Sequence, residues 1–182
     1  TSARSSKELR VEWIDGRLPS PMDGGFPLGQ RLSRALVNGG CAAVICNTVR
    51  RAQAVYQALK PYFKEATSDD QPELDLFHAQ YLFQDREERE RRTLLRFGKP
   101  GAKVTLEDGE ERVVRRPERA ILVATQVIEQ SLDLDFDLIV TDMAPADLLL
   151  QRAGRLHRHD RSEHGGRPQG LESPRLLVCQ PE

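Results

Sequence analysis

Long apolar runs are absent from this 182-residue chain. No stretch approaches the roughly 20 apolar residues that a membrane-spanning helix needs, and no signal-peptide pattern opens the chain. Cysteine occurs only three times, at Cys41, Cys46 and Cys179, an odd count with no metal-type spacing. Cys46 and Cys179 sit in or at the end of apolar runs, where a free thiol packs as a small hydrophobe. A reduced, cytoplasmic setting without disulfides is therefore expected. Excess charge is also lacking. Twenty-seven Lys+Arg against 28 Asp+Glu leave a net charge of −1, which excludes a globally basic nucleic-acid binder but not a local basic patch. Lysine is scarce too, since 22 of the 27 cations are arginine, a usage that suits planar anion recognition or reflects a GC-rich coding sequence. What is present, 38% hydrophobic and 30% charged residues, is enough for one domain with a real core or two very small ones. The chain opens on Thr1 rather than Met, as a fragment or processed protein would.

Strand and helix patterns alternate along most of the length. Residues 1–8 are polar and read as a tail or linker remnant. In 9–14, Leu9, Val11 and Trp13 alternate with polar neighbours, the pattern of a short half-buried strand. A proline- and glycine-rich loop follows over 18–27. Leu28, Leu32, Ala35 and Leu36 then recur at helical spacing, and Gly39-Gly40 ends that helix. Residues 41–46 form a continuous apolar run between breakers, which suits a strand buried on both faces of a parallel sheet. Next come a helix over 49–60, with Ala52, Val55, Tyr56 and Leu59 on one face, and a strand over 74–77. Asp85 and Glu88 are spaced as a capping pair for a helix running to about Phe97. Strands over 120–124 and 137–141, a helix from Ala146 to about His157, and a closing strand over 175–179 complete the series. Such alternation with short connections predicts one α/β domain, residues 9–182, around a mostly parallel sheet. Only 103–114 breaks the rhythm: Asp108-Gly109 between two alternating arms predicts an inserted β-hairpin.

In open α/β sheets ligands sit beyond the carboxyl ends of the strands, so the residues after each strand are the candidates for chemistry. Asn47 or Thr48 can cap the helix that follows 41–46. Arg50 and Arg51 place cations in that helix's first turn, which the dipole disfavours unless an anion joins them. A backbone-phosphate contact and a plain helix cap stand here as equals. His78, after the next strand, reads more readily as a structural hydrogen-bonder than as a functional group. Residues 125–135 are dense in polar groups, with Val127, Ile128, Leu132 and Leu134 tacking the loop onto the core. Asp133, Asp135 and Asp137 alternate there, but Leu134 and Phe136 between them and the missing glycine exclude a calcium loop.

The densest basic run lies at 151–159. On a continuous helix Gln151, Arg155 and Arg158 share one face, with Arg152 one position round. Residues 151–167 carry five arginines against Asp160 and Glu163. The plain reading is a solvated basic helix face. Against it, Gly154 in mid-helix would cost about 1 kcal/mol, and a strand-end arginine stripe is what stabilises charge on a transferring phosphoryl group. Arg161, just beyond the run, is expected to be an inert surface residue. No metal site is assigned: His157, His159, Asp160 and His164 fit no zinc spacing, and the His159-Asp160 dipeptide lacks the further ligands of an HD phosphohydrolase. There is no G-x-x-x-x-G-K-[ST] phosphate loop, since Gly98-Lys99 runs into Pro100, and no strand-end magnesium motif. The stripe is half of a nucleotide site.

At this point the residues match a known family. Q-R-A-G-R-L-H-R-H at 151–159 resembles motif VI of superfamily 2 helicases, A-T-Q-V-I-E-Q-S-L-D at 124–133 resembles motif V, and V-I-C-N-T-V-R-R-A-Q at 44–53 resembles motif IV. The Glu-Gln-Ser-Leu-Asp wording, and F-H-A-Q-Y at 77–81 followed by Asp85-Arg86, look like the CRISPR-associated helicase–nuclease of type I systems. Gln130-Ser131 stands where Arg-Gly is usual in the superfamily. The resemblance covers roughly residues 28–160, and it implies the second RecA-like lobe, a three-layer α/β domain. ATP and magnesium would be held mainly by a first lobe, and an HD nuclease domain would cut single-stranded DNA. This chain alone would then be inactive. By the same resemblance Arg155 and Arg158 would reach the γ-phosphate, Gln151 and Arg152 would support the lobe interface, and Asp133 would meet the ribose. Asn47, Thr48, Arg50, His78 and Thr125 would line the single-stranded DNA path. The activity implied is 3′-to-5′ translocation and destruction of foreign DNA after recruitment by a guide-RNA surveillance complex. Two alternatives stand beside it: a lobe of another superfamily 2 DNA or RNA helicase, and a stand-alone nucleic-acid-binding module, which would bind DNA tightly without a partner lobe.

Overall fold

The structure, a computed structural model, describes residues 8–14, 18, 27–63, 73–79, 83–106, 109–129 and 132–180. Six strands make one parallel sheet: β1 (Arg10–Ile14), β2 (Gly40–Ile45), β3 (Leu74–Phe77), β6 (Arg119–Ala124), β7 (Leu138–Asp142) and β8 (Arg175–Cys179). Their order across the sheet is β1-β8-β7-β2-β6-β3, and every pairing is parallel. The remaining two strands, β4 (Lys103–Thr105) and β5 (Glu111–Val113), pair antiparallel as a separate hairpin with Gly109 at φ 81°. Asp108, residues 1–7 and most of the 18–27 loop lie outside the described residues. Helices α1 (Pro27–Ala35), α2 (Val49–Leu59), α3 (Phe83–Phe97) and α4 (Ala146–Ala153) fill the connections.

Strand β2 shows why the apolar runs are continuous. All six of its residues are buried, because the pleat sends alternate side chains into two different cores. Ala42, Val44 and Cys46 meet Leu28, Leu32 and Leu36 beside α1 and Ala52, Val55 and Leu59 of α2. Cys41, Ala43 and Ile45 face the other way, toward Phe97, Ile128, Leu134, Phe136 and Leu156. The second core therefore draws on exactly the loop segments that carry the motif residues. Both faces of the central strands are covered by the chain's own residues. No helix among the described residues is long and apolar enough to cross a membrane.

Three expectations are corrected. The alternating set Leu9, Val11 and Trp13 does not face the core. Those residues are 37%, 52% and 56% exposed, because β1 is an edge strand and the second core stops at its neighbour β8. Instead Ile14 packs on the first core, and Glu12 takes the Arg175 guanidinium at 2.9 and 3.0 Å. Helix α3 starts at Phe83, so Asp85 lies inside it rather than at its cap, and Glu88 pairs with Arg91 at 3.0 Å. Helix α4 ends at Ala153 instead of His157. Gly154 closes it by donating to the Leu150 carbonyl, so the mid-helix glycine cost does not arise.

Just ahead of β7 lies a buried ionic cluster that the sequence pattern did not announce. Asp135 and Asp137 are both fully buried. Asp137 accepts from Arg161 at 2.6 Å, Arg167 at 2.8 Å and the Cys41 N–H at 2.8 Å. Asp135 accepts from Arg161 and Arg167, each at 2.9 Å. Arg161, expected to be an inert surface residue, is thus a core ion-pair partner, 8% exposed. Burial pushes the Asp137 carboxyl up, but the Arg161 charge, the Arg167 hydrogen bond and the Cys41 N–H outweigh it, and its pKa lies below the ordinary range. A carboxyl depressed in the folded state stabilises the fold above its unfolded pKa of about 4, and the gain is lost as pH falls through the folded value. Removing one partner of a buried pair costs about 3–5 kcal/mol. Asp137→Asn should therefore lower unfolding stability at pH 7 by about that much and flatten the acid limb below about pH 4. Urea titrations at several pH values test this, and an unchanged acid limb would remove Asp137 from the account.

Candidate nucleotide and nucleic-acid interface

Every strand of a parallel sheet ends on the same edge, and the motif residues gather there. Asn47 follows β2. Its N–H donates to Asp142 Oδ2 at 2.8 Å and its side-chain amide to the Met143 carbonyl at 2.7 Å. Thr48 takes extended backbone angles and caps α2, accepting the Arg51 N–H at 3.2 Å. Arg51 reaches across to Asp142 Oδ1 at 3.0 Å, which offsets its poor placement in the first turn. Arg50 is exposed beside it, with no ion pair among the described residues. Of the other DNA-path candidates, His78 and Thr125 are 5% and 2% exposed, so their side chains lie beneath the surface. Burial, and then the Arg89 charge, hold His78 below its ordinary pKa. The Thr125 hydroxyl is buried with no hydrogen-bond partner among the described residues.

Arg152 joins these segments. It is 1% exposed, and its guanidinium donates to Glu129 at 2.7 Å, the Thr141 hydroxyl at 2.6 Å, the Asp142 carbonyl at 3.1 Å and Asn47 Oδ1 at 3.2 Å. One side chain thus binds the residue after β2, the loop after β6 and the end of β7. Gln151, its neighbour, is exposed.

The arginine stripe is corrected in its origin. Because α4 ends at Ala153, Arg155 and Arg158 do not share a helix face with Gln151. An extended pairing holds them instead. Phe136 N–H donates to the Arg155 carbonyl at 2.8 Å, His157 N–H to the Phe136 carbonyl at 3.0 Å and Arg158 N–H to Asp135 Oδ1 at 2.9 Å. His157 turns through φ 47°, uncommon for a residue with a Cβ, which lets Leu156 enter the core. Arg155 donates to the carbonyls of Leu132 and Glu129 and has no carboxylate partner among the described residues. Burial, and then the nearby Arg158 charge, lower its pKa. A phosphate beside it would relieve both effects. Arg158 is exposed and pairs with Asp133, which His159 also approaches at 3.0 Å. Burial works against the Asp133 carboxylate, but Arg158 and His159 outweigh it and its pKa lies below the ordinary range. Gln130-Ser131 lies outside the described residues. Of the five arginines in 151–167, Arg152, Arg161 and Arg167 are spent on buried partners, whereas Arg155 meets backbone carbonyls and Arg158 pairs with the exposed Asp133.

Sequence reasoning missed Glu129, Thr141 and Asp142. Asp142 had a usable signal, since it ends a predicted strand and the strand-end rule picks it out. Among the described residues no group of His, Cys, Asp and Glu is arranged to hold a metal ion. Arg152→Ala would leave Glu129 buried without its cation and should cost about 3–5 kcal/mol of stability. Arg152→Lys should recover only part of it, because an ammonium cannot reproduce a planar fork with several acceptors. Urea unfolding of both variants checks the ranking, and equal stability of Lys and Arg would sink the hub assignment.

Residues 38–161 match the family described as CRISPR-associated nuclease/helicase Cas3, C-terminal. The CRISPR-associated endonuclease/helicase Cas3 of Escherichia coli (strain K12) is 42% identical over 153 residues, covering 84% of this chain and 15% of that protein. The crystal structure of T. fusca Cas3-AMPPNP superposes with a TM-score of 0.76 at 41% identity, covering 97% of this chain and 18% of that one. A chain of a structure described as a CRISPR RNA-guided surveillance complex, pre-nicking, gives a TM-score of 0.69 at 40% identity over 97% of this chain and 19% of its own length. This chain spans less than a fifth of each of these relatives. It has the α/β, mostly parallel RecA-like fold of their helicase C-terminal region, and it belongs to the Cas3 nuclease/helicase C-terminal family.

Proposed function

We propose that residues 9–182 form the second RecA-like lobe of an ATP-dependent 3′-to-5′ single-stranded DNA translocase that degrades foreign DNA in CRISPR interference. The observation that carries this reading is the pair Arg155 and Arg158, set between two buried ionic anchors, with Arg155 having no carboxylate partner among the described residues. Relatives bound to AMPPNP support ATP as the nucleotide, and a relative within a surveillance complex supports recruitment by a guide-RNA complex. A first lobe elsewhere in the full-length protein would supply the phosphate loop and magnesium carboxylates, and an HD domain the nuclease. Alone, this chain would be inactive. All of this would take place in the cytoplasm.

In this reading nucleotide hydrolysis supplies the free energy, and the chain's own residues transmit it. Arg155 and Arg158 stabilise phosphate charge only when the lobes close, so loss of that charge lets the lobes part. Asp133 holds Arg158 while the lobes are open and is freed to meet the ribose as they close. Gln151, exposed at the end of α4, and Arg152 beneath it support the interface. Asn47, Thr48 and Arg50 contact the DNA backbone, with the buried His78 and Thr125 shaping the path from below. Such contacts grip a strand without reading its sequence.

Arg155→Ala or Arg158→Ala in the full-length enzyme should cut ATP turnover by about 10³-fold or more, equivalent to roughly 4 kcal/mol. Arg34→Ala, on the exposed side of α1, should leave turnover near normal. Equal modest losses at all three positions would return the stripe to a general basic surface. For the strand contact, Arg50→Ala should weaken single-stranded DNA binding about equally across sequences and lower the salt slope by about 1. An unchanged slope would take Arg50 off the path.

A further inference from the structure

At the amino-terminal edge of the sheet, away from the motif residues, the Arg116 guanidinium has two donors, and Arg167 one, with no hydrogen-bond partner among the described residues. Arg116, Arg161 and Arg167 have side chains only 8%, 8% and 6% exposed. Two buried carboxylates, Asp135 and Asp137, face these three cations. Arg161 and Arg167 take both carboxylates at 2.6–2.9 Å. Arg116 comes third. Its Nη1 donates to the carbonyls of Phe97 at 3.0 Å and Gly98 at 3.2 Å. Its Nη2 stands 3.9 Å from Asp137 Oδ2, beyond hydrogen-bond range. Both Nε and Nη2 are buried and have no hydrogen-bond partner among the described residues.

Those two atoms make one edge of the guanidinium, the fork that fits an oxyanion. Elsewhere the same chain fills it. Arg119 sets Nε and Nη2 on Glu73, each at 3.0 Å, and Arg175 sets them on Glu12 at 2.9 and 3.0 Å. Arg116 also lines a cavity of about 350 Å³, together with Arg161, His164 and the glycines Gly165 and Gly166. A buried cation in excess over its carboxylates, beside a cavity, is stabilised by a bound anion.

We propose that this cavity is an anion site, taking a small oxyanion (a phosphate or carboxylate group) on the Nε–Nη2 edge of Arg116, with Arg161 and His164 around it. The fork is buried, so the anion enters by displacing the wall at Gly165 and Gly166, around whose Cβ positions there is open space. Both glycines hold φ values of 84° and 74°, which a side chain would strain. Glu118 shares the cavity wall and is exposed, so its charge opposes the anion.

The test is thermal unfolding of this 182-residue chain against rising phosphate or acetate, with chloride holding ionic strength constant. A saturable rise in midpoint with at least one of the two is expected, and which one acts identifies the group bound. Arg116→Gln should abolish the rise. Glu118→Gln, an exposed substitution, should shift the half-saturating concentration down roughly threefold. No saturable rise in the unsubstituted chain overturns the proposal. So does a rise that survives Arg116→Gln, or one that disappears only in Arg155→Ala, which would place the anion at the motif residues. If Arg116→Gln does not fold, the Glu118→Gln arm decides, and an unchanged half-saturating concentration counts against the site.

Discussion

The buried guanidinium of Arg152 is the contact on which the candidate site depends. A planar cation with five donors can serve several acceptors at once, whereas a carboxylate or ammonium in the same place would leave some unmet. Here the acceptors come from Asn47, Glu129 and the adjacent pair Thr141 and Asp142, three separate stretches of the sequence. Without Arg152 the buried Glu129 carboxylate would lose its cation. The strands fix the general position of these loops, but the carboxyl edge of a sheet leaves loop conformation open. A shared hydrogen-bond donor closes that freedom and makes the three motif segments a single unit.

Arg155 and Arg158 gain their position in another way. A helix would offer them a rigid face, but α4 stops at Ala153 because Leu156 is needed in the core beside Phe136. Extended pairing with 135–136 then replaces helical hydrogen bonds, and it sets the two guanidinium groups over Leu132 and Asp133. The segment that carries the arginines is thereby registered against the segment after β6. Any shift in one must move the other. The coupling rests on backbone contacts that a list of side chains does not reveal.

How much of this was legible follows from which forces write themselves into sequence. The apolar runs of β2, β6 and β7 were legible because burial on both faces leaves a near-continuous hydrophobic signature, whereas β3 (Leu-Asp-Leu-Phe) is an edge strand interrupted by Asp75. The hairpin at 103–114 was legible from its turn and alternation. Strand β1 was found, but its inward face was misassigned: Leu9, Val11 and Trp13 are apolar without being covered, and periodicity reports polarity, not cover. The extent of α4 was misjudged because a tertiary demand on Leu156 overrode a local pattern that continues to His157. Arg161 was taken for a surface residue because charge normally means exposure. Its partners Asp135 and Asp137 lie about 25 residues earlier, and single-sequence reading has no means to pair them. The motif resemblance located Arg152, yet nothing in the sequence said that it points inward.

Buried guanidinium groups also bracket the two arginines that remain available. Arg152 ties the start of the 152–161 segment to Thr141 and Asp142 at the carboxyl end of β7. Arg161 ties its end to Asp135 and Asp137, just before the amino end of the same strand. Between these anchors the segment has little freedom to slide or rotate, because moving either end would expose or orphan a charge in a low-dielectric interior. Flexibility is therefore expected in the guanidinium groups of Arg155 and Arg158, not in the backbone that presents them. On the proposed reading, such a lobe would answer a phosphate by exchanging side-chain partners, with Arg158 leaving Asp133, and would move as a body. That division would matter there, because Asn47 is held by the same Arg152, so a displacement at the arginines would reach the residue proposed for strand contact without being absorbed between them.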